Sequence, residues 1–208
     1  MKNILIHGLG QNSKDWDTIK NELETRGISS VAPDLFDLAK GRKLDYPTVY
    51  QAFSELCESY QDKLNLCGLS LGGLLAINYA IQYPKKINSL VLIGTPFEIP
   101  KGLLKFQNIV FRFMPKAVFQ NMGVSKKDFI RLSKSMVDLN FMDSATALDC
   151  PALILCGAKD KTNMESAKRF HEAMKNSKLV IVEASGHEVN KDNPNELVRV
   201  LQDFWADR

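Results

Sequence analysis

A serine between two glycines is the strongest chemical signal in this sequence. Gly68, Ser70 and Gly72 form a Gly-x-Ser-x-Gly pattern directly after the apolar run 64–67 and directly before a helix-like segment. A strand that turns sharply into a helix around such a serine exposes the hydroxyl at the carboxyl end of a sheet. The two glycines allow the turn to close, because side chains two residues to either side would obstruct it. Ser70 is therefore predicted to be a nucleophile.

A serine hydroxyl is a weak nucleophile unless a base removes its proton, and the chain contains three histidines. His171 lies in a helical pattern between charged neighbours and is expected at the surface. His7 ends the first predicted strand and is expected to brace a loop. His187 follows the last predicted strand, where a loop can reach the sheet edge that carries Ser70. His187 is therefore predicted to be the general base.

An acid must hold the imidazole of the base in one tautomer. Asp160 comes just after the fifth strand-like run and precedes His187 in the chain, so it is the predicted acid. Glu98, after the fourth run, is the alternative.

The negative oxygen that forms during acyl transfer needs backbone N–H donors. The residue after the nucleophile, Leu71, supplies one. Leu9 supplies the second, because the loop after the first strand faces the same sheet edge and Gly8 lets its backbone come close.

The elements that must position these residues alternate between strands and helices. Six short runs are almost continuously apolar, which is typical of parallel strands covered on both faces. They span residues 3–7, 29–32, 64–67, 89–93, 152–156 and 179–182. Helical patterns lie between most of them, at 15–26, 48–60, 71–83, 164–174 and 194–205. The alternation predicts an α/β domain with a mostly parallel sheet.

One long segment without a strand interrupts this alternation. Residues 97–148 are rich in Phe and Met, and we expect them to form a helical cap or lid over the carboxyl end of the sheet. The core domain is then 1–96 together with 149–208. Phe111, Met114 and Phe119 are predicted to bind substrate, since Phe and Met offer adaptable apolar walls. The alternative is that these side chains only pack the insertion onto the core.

Five short motifs together resemble the α/β-hydrolase superfamily, in its serine-esterase-like branch with a small helical cap. They are His7-Gly8-Leu9-Gly10, Pro33-Asp34-Leu35, Gly68-Leu69-Ser70-Leu71-Gly72-Gly73, Gly157-Ala158-Lys159-Asp160 and Ser185-Gly186-His187. The resemblance implies helices on both faces of the sheet, with the sheet reduced at the N-terminus because this chain begins at what would be the third strand. It also implies Ser70, Asp160 and His187 as the catalytic triad, with Leu9 and Leu71 as oxyanion donors.

The resemblance implies a carboxylesterase that cleaves ester or thioester bonds of small to medium, apolar acyl substrates through an acyl-enzyme. A carbon–carbon bond hydrolase or lyase on the same triad is the alternative within enzymes. A non-catalytic binding protein of the same fold is disfavoured, because all three triad residues are present.

Composition excludes other classes of protein. Hydrophobic residues make up 45% and charged residues 25% of 208 residues, and the formal net charge is +3. These are ordinary globular values, and no basic stripe with interleaved aromatic residues predicts nucleic-acid binding. We expect no membrane span, no signal peptide, a cytoplasmic location, no metal or other cofactor, and a monomer or homodimer. Cys57, Cys67, Cys150 and Cys156 lack metal-ligand spacing, and a buried free thiol is expected at Cys67 and Cys156.

Overall fold

A six-stranded parallel sheet forms the centre of the computed structural model, which describes residues 1–96, 111 and 114–206. The strand order is β2-β1-β3-β4-β5-β6, and every neighbouring pair is parallel. The strands are β1 (Lys2–Ile6), β2 (Ser30–Val31), β3 (Leu64–Leu69), β4 (Ile87–Ile93), β5 (Ala152–Gly157) and β6 (Ser177–Val182). The six predicted runs and the parallel sheet are therefore confirmed. Most strand ends differ from the predicted ends by one or two residues.

Helices connect these strands and cover both faces. They are α1 (Asp17–Thr25), α2 (Leu35–Leu38), α3 (Tyr46–Ser59), α4 (Leu71–Gln82), α5 (Lys116–Asn121), α6 (Lys126–Ser135), α7 (Met142–Ala145), α8 (Met164–Ala173), α9 (Val189–Asp192) and α10 (Pro194–Ala206). Short 3₁₀ turns lie at Ser13–Trp16 and Pro84–Lys86. The five predicted helices are confirmed, and the first of them begins with one of these 3₁₀ turns.

The core divides into two clusters because successive side chains of a strand point to opposite faces of the sheet. Leu66 of β3 belongs to the cluster that contains Phe53 of α3. Its neighbour Cys67 belongs to the opposite cluster, with Trp16 and Leu201. All six residues of β3 are buried. A central strand buried on both faces is what its continuous apolar run predicts.

The segment between β4 and β5 contains α5, α6 and α7. The Ser125 side chain caps α6 by accepting the Asp128 N–H at 3.1 Å, as the spacing of these two residues predicts. Ser135 Oγ accepts the Tyr46 N–H at 2.7 Å, which attaches the end of α6 to the start of α3. The domain boundaries at 97 and 148 stay a prediction, since 97–110 and 112–113 lie outside the described residues.

Within the described ranges, no helix combines the length and the apolar character that crossing a bilayer requires. The four cysteines are free, and both Cys67 and Cys156 are buried, as expected.

Candidate active site

Ser70 lies at the turn between β3 and α4 in a backbone conformation that serine rarely adopts. Its φ is 53° and its ψ is −110°. Its N–H donates to the Ile93 carbonyl at 2.8 Å, and a non-glycine residue held at such angles costs on the order of 1–3 kcal/mol. A Cβ added at Gly68 would collide with the Gly72 carbonyl, and one added at Gly72 would collide with the Ile6 carbonyl. The turn itself therefore requires Gly68, and the close approach of α4 to the end of β1 requires Gly72.

Asp160 and His187 form a direct hydrogen-bonded pair. Asp160 Oδ2 lies 2.7 Å from His187 Nδ1, and the Asp160 side chain is 5% exposed whereas that of His187 is 42% exposed. This arrangement leaves the Nε2 of His187 as the ring nitrogen available to a substrate or nucleophile.

Asn163 is a partner of this pair that the sequence analysis did not identify. Its Nδ2 donates to both carboxylate oxygens of Asp160, at 3.0 and 2.8 Å, and lies 3.2 Å from His187 Nδ1. Burial by itself raises the pKa of Asp160, but the hydrogen bonds from His187 and Asn163 outweigh it and hold that pKa below its ordinary value. Asp160 thus stays ionised at neutral pH and can stabilise a protonated imidazole.

Two loops at the carboxyl ends of β5 and β6 carry the pair. The Asp160 N–H donates to the Gly157 carbonyl at 2.9 Å, and the Lys159 N–H donates to the Ser185 carbonyl at 2.8 Å, so the loops hold each other. Asp192 Oδ2 accepts the Gly186 N–H at 2.7 Å, which fixes the residue before His187. The carboxyl ends of parallel strands meet at one edge of a sheet, where ligands bind in open α/β folds.

Gly94 lies against the pair at the end of β4. Its φ is 51°, and a Cβ at this position would lie 3.0 Å from His187 Nδ1 and 3.2 Å from Asp160 Oδ2. The preceding residue, Ile93, accepts the Ser70 N–H. Ser70 and the pair therefore both contact the Ile93–Gly94 backbone. The hydrogen bonds described for His187 run to Asp160 and Asn163, and none joins it to Ser70; such bonds are often long before a substrate binds.

The loop after β1 comes close to the serine. A Cβ at Gly8 would lie 3.5 Å from Ser70 Cβ and 2.7 Å from Leu69 Cδ2, so Gly8 permits the close approach. Leu9 follows in this loop, and Leu71 is the first residue of α4, where backbone N–H groups have no partner within the helix. Their role as oxyanion donors stays a prediction.

His7 braces the same loop, as expected from its position. Its Nε2 accepts the Leu35 N–H at 3.0 Å, so its Nδ1 carries the proton and donates to the Gly8 carbonyl at 2.9 Å. The side chain is fully buried, and burial lowers the pKa of His7 despite that hydrogen bond and the nearby Asp34.

His7 should make stability depend on pH. Its pKa is lower in the folded state than the ~6.5 of an unfolded chain, so the unfolded state binds more protons between these two values. We expect the free energy of unfolding to decrease as pH falls below ~6.5, by at most about 1.4 kcal/mol per pH unit. Urea unfolding of wild type and His7→Gln at pH 7.5 and 5.5 measures this.

The matched control is His171→Gln, which removes an exposed histidine. This variant should keep the wild-type pH dependence, whereas His7→Gln should reduce it. Equal dependence in wild type and His7→Gln would show that His7 is not its source.

A buried polar cluster ties the loop after β1 to the loop that carries His187. The Gln11 side chain is 1% exposed, and its Nε2 donates to Glu188 Oε1 at 2.9 Å and to Asn190 Oδ1 at 3.2 Å. Asn190 Nδ2 in turn donates to the Asp15 carbonyl at 3.0 Å. These contacts fix the backbone on both sides of the site.

The three residues predicted to bind substrate lie in the segment between β4 and β5. Phe111 and Met114 are partly buried. Phe119 is fully buried, and its ring and that of Phe111 each lie 5.0 Å from the Phe129 ring, edge to face. Phe119 thus packs inside this segment, and the substrate-binding role of all three stays a prediction. Glu98, the alternative acid, lies outside the described residues.

The known proteins that this chain resembles include members of the alpha/beta hydrolase fold family, esterases and lipases among them. The family model described as alpha/beta hydrolase fold matches residues 4–139. Lipase 3 of Moraxella sp. is 26% identical, over 93% of this chain and 75% of the lipase. A proposed 2-succinyl-6-hydroxy-2,4-cyclohexadiene-1-carboxylate synthase of Bacillus subtilis is 23% identical, over 97% of this chain and 89% of its own. A carboxylesterase structure from Nitrososphaera gargenis has a TM-score of 0.86 at 19% identity, covering 99% of this chain and 90% of that one.

Proposed function

Because this chain belongs to the alpha/beta hydrolase fold family, we propose that it is a serine hydrolase that cleaves carboxylic ester or thioester bonds through an acyl-enzyme. The strained Ser70 and the hydrogen-bonded Asp160–His187 pair, which both lie against the Ile93–Gly94 backbone, support this proposal most strongly. Esterases and lipases among the similar proteins support the same class of reaction.

In the first half of the proposed reaction, Ser70 Oγ attacks the substrate carbonyl while His187 Nε2 takes the hydroxyl proton. The resulting oxyanion accepts hydrogen bonds from the N–H groups of Leu9 and Leu71. His187 then gives its proton to the leaving alcohol or thiol, and the acyl group stays on Ser70. Asp160 holds the proton on Nδ1, so that Nε2 is free to accept.

In the second half, water replaces the leaving group. His187 takes a proton from the water, whose oxygen attacks the acyl-enzyme carbonyl, and returns it to Ser70 Oγ as the carboxylic acid leaves. In each half-reaction His187 accepts one proton and gives one proton back, so the proposed reaction requires no cofactor.

A substrate series tests the proposal. Rates are measured on p-nitrophenyl esters from acetate to decanoate, beside an acyl-CoA thioester and a meta-cleavage product. Ester or thioester hydrolysis that a fluorophosphonate abolishes by labelling Ser70 supports the proposal. Turnover of the meta-cleavage product alone would instead favour the carbon–carbon alternative, which uses the same three residues.

Cap residues should set the preferred acyl length. We expect Phe111→Ala and Met114→Ala to shift the best p-nitrophenyl ester to a different chain length while changing acetate hydrolysis little, because pocket walls discriminate by about 1–3 kcal/mol per methylene. The measurement is kcat/KM across the series for each variant.

Phe119→Ala serves as the comparison, because this ring is fully buried against Phe129. Its truncation should lower thermal stability, by an amount on the order of the 3–5 kcal/mol usual for a buried Phe. If Phe111→Ala and Met114→Ala instead lower all esters equally, acetate included, the segment stabilises the core and does not select substrates.

A further inference from the structure

The positive charge of this chain is concentrated between β4 and β5. Residues 97–148 contain eight Lys and Arg against four Asp and Glu, a net charge of +4, whereas the rest of the chain contains nineteen against twenty, a net charge of −1. This segment thus carries the whole positive excess. Charge of one sign beside a cleft raises the local concentration of ligands of the opposite sign.

Three of these lysines line an open cavity of about 580 Å³ in this segment. Lys116, Lys126 and Lys127 line it together with Ser125 and Gly123. The Lys126 ammonium donates to the Met114 carbonyl at 2.7 Å, so it is held in place at the cavity. Lys116 and Lys127 are exposed, and among the described residues no carboxylate forms an ion pair with either of them.

The carboxylate nearest to Lys127 in the sequence already has hydrogen-bond partners of its own. Asp128 follows Lys127, but its Oδ1 accepts from Arg131 Nη1 at 2.7 Å and its Oδ2 accepts from Ser125 Oγ at 2.6 Å. The negative charge of Asp128 is therefore paired within α6, and the exposed ammonium groups of Lys116 and Lys127 keep their positive charge for a ligand.

One wall of the cavity follows directly on a residue that contacts the loop after β1. Met122 immediately precedes Gly123 of the cavity wall, and its Cε would lie 3.8 Å from a Cβ at Gly10. Gly10 follows Leu9, the predicted oxyanion donor. The contact therefore links the cavity segment to the loop that carries Leu9, and a substrate that uses the cavity must reach from Ser70 past this loop.

We propose that the cavity lined by Lys116, Lys126 and Lys127 binds a phosphate-type anion on the alcohol or carrier side of the substrate. The preferred substrates are then apolar acyl esters or thioesters whose leaving group carries negative charge. Lysine binds phosphate as a point charge without demanding one geometry, which suits an open cavity. This inference rests on the proposed ester hydrolysis for its catalytic consequence but not for the binding itself.

Two esters that differ only in a phosphate test the proposal. We compare kcat/KM for 1-butyrylglycerol 3-phosphate and 1-butyrylglycerol, following acid release. At low salt we expect the phosphate ester to be preferred by roughly tenfold, and 0.5 M NaCl should largely abolish that preference, because salt screens exposed charges. The double variant Lys116→Gln/Lys127→Gln should lower the preference about fivefold, the scale of two exposed charge interactions.

Lys134→Gln is the matched control. Lys134 is an exposed lysine of the same helix, α6, but it does not line the cavity. Its replacement changes the net charge of the segment and should leave the preference unchanged. An equal loss in Lys134→Gln and in the double variant would indicate general attraction rather than a site, and would overturn the proposal.

Binding to the Ser70→Ala protein, measured by calorimetry at low salt, separates this inference from the proposed function. Hydrolysis of both esters without any preference overturns the inference and leaves the esterase proposal standing. Absence of hydrolysis together with lysine-dependent binding of the phosphate ester overturns the esterase proposal and supports the anion site. If the protein neither hydrolyses the esters nor binds the phosphate ester, both proposals are overturned.

The phosphate group could belong to a soluble ester or to a lipid headgroup. Cosedimentation with phosphatidylglycerol vesicles, against phosphatidylcholine vesicles, distinguishes the two sources. Binding that depends on Lys116 and Lys127 and requires phosphatidylglycerol identifies the lipid source, whereas preference for the soluble ester without vesicle binding identifies the soluble one.

Discussion

Ser70→Ala should lower ester hydrolysis by about 10⁴-fold or more while leaving the fold intact. The proposed mechanism has no other group that forms the acyl-enzyme, and loss of a triad nucleophile typically has an effect of this size. The change replaces a hydroxyl with a hydrogen on a side chain of nearly the same volume, in a turn that Gly68 and Gly72 already accommodate. The measurements are kcat/KM on a p-nitrophenyl ester and circular dichroism of the variant.

Ser133→Ala provides the control for this experiment. Ser133 is fully buried, and its hydroxyl has no hydrogen-bond partner among the described residues, so its removal should leave activity and stability near wild type. A fluorophosphonate should label wild type and Ser133→Ala but not Ser70→Ala. A folded Ser70→Ala protein with near-wild-type activity would rule out the serine mechanism.

Asp160→Asn should lower kcat by about 10⁴-fold with little structural change. An asparagine at this position donates its amide N–H to His187 Nδ1, which forces the ring proton onto Nε2 and removes the base that Ser70 needs. The substitution also removes the negative charge to which Asn163 Nδ2 donates at 2.8 Å in the wild-type protein. Steady-state kinetics on the same ester gives the effect.

Asp149→Asn is the control for this change, because Asp149 is an exposed carboxylate at the opposite end of β5. It should retain wild-type activity. An Asp160→Asn variant within about tenfold of wild type would mean that another carboxylate orients His187. Glu98→Gln should then produce the large loss instead.

The fold could be predicted from the sequence because its signals are local and repeated. Each strand is a short apolar run buried on both faces, as in β3, and each long helix has its own periodicity and stop. The tight turn at Ser70 has a local cause at Gly68, where a Cβ would collide with the Gly72 carbonyl, whereas Gly72 is required by its contact with the distant Ile6 carbonyl. The contact between Asp160 and His187 could be predicted from topology in part, because both residues follow parallel strands at the same edge, but the same argument left Glu98 as an alternative acid.

The polar contacts around the site could not be predicted in this way. Gln11 and Asn190 are 179 residues apart, and a hydrogen bond between distant amides leaves no periodic pattern in a sequence. Asn163 did leave a signal, because an asparagine three residues after an aspartate can donate back to it. The burial of Phe119 depends on how the aromatic rings of the cap pack, which composition alone does not determine.

The bond between Gln11 and Asn190 also sets when the site can form during synthesis. A ribosome that adds about 5–20 residues per second completes Gln11 roughly 10–35 s before Asn190 exists. Over this interval the amide that will be buried beside Gly8 has no partner, and Asp160 and His187 are equally late. The candidate site of the nascent chain therefore stays incomplete until β6 and the loop that carries His187 have been synthesised.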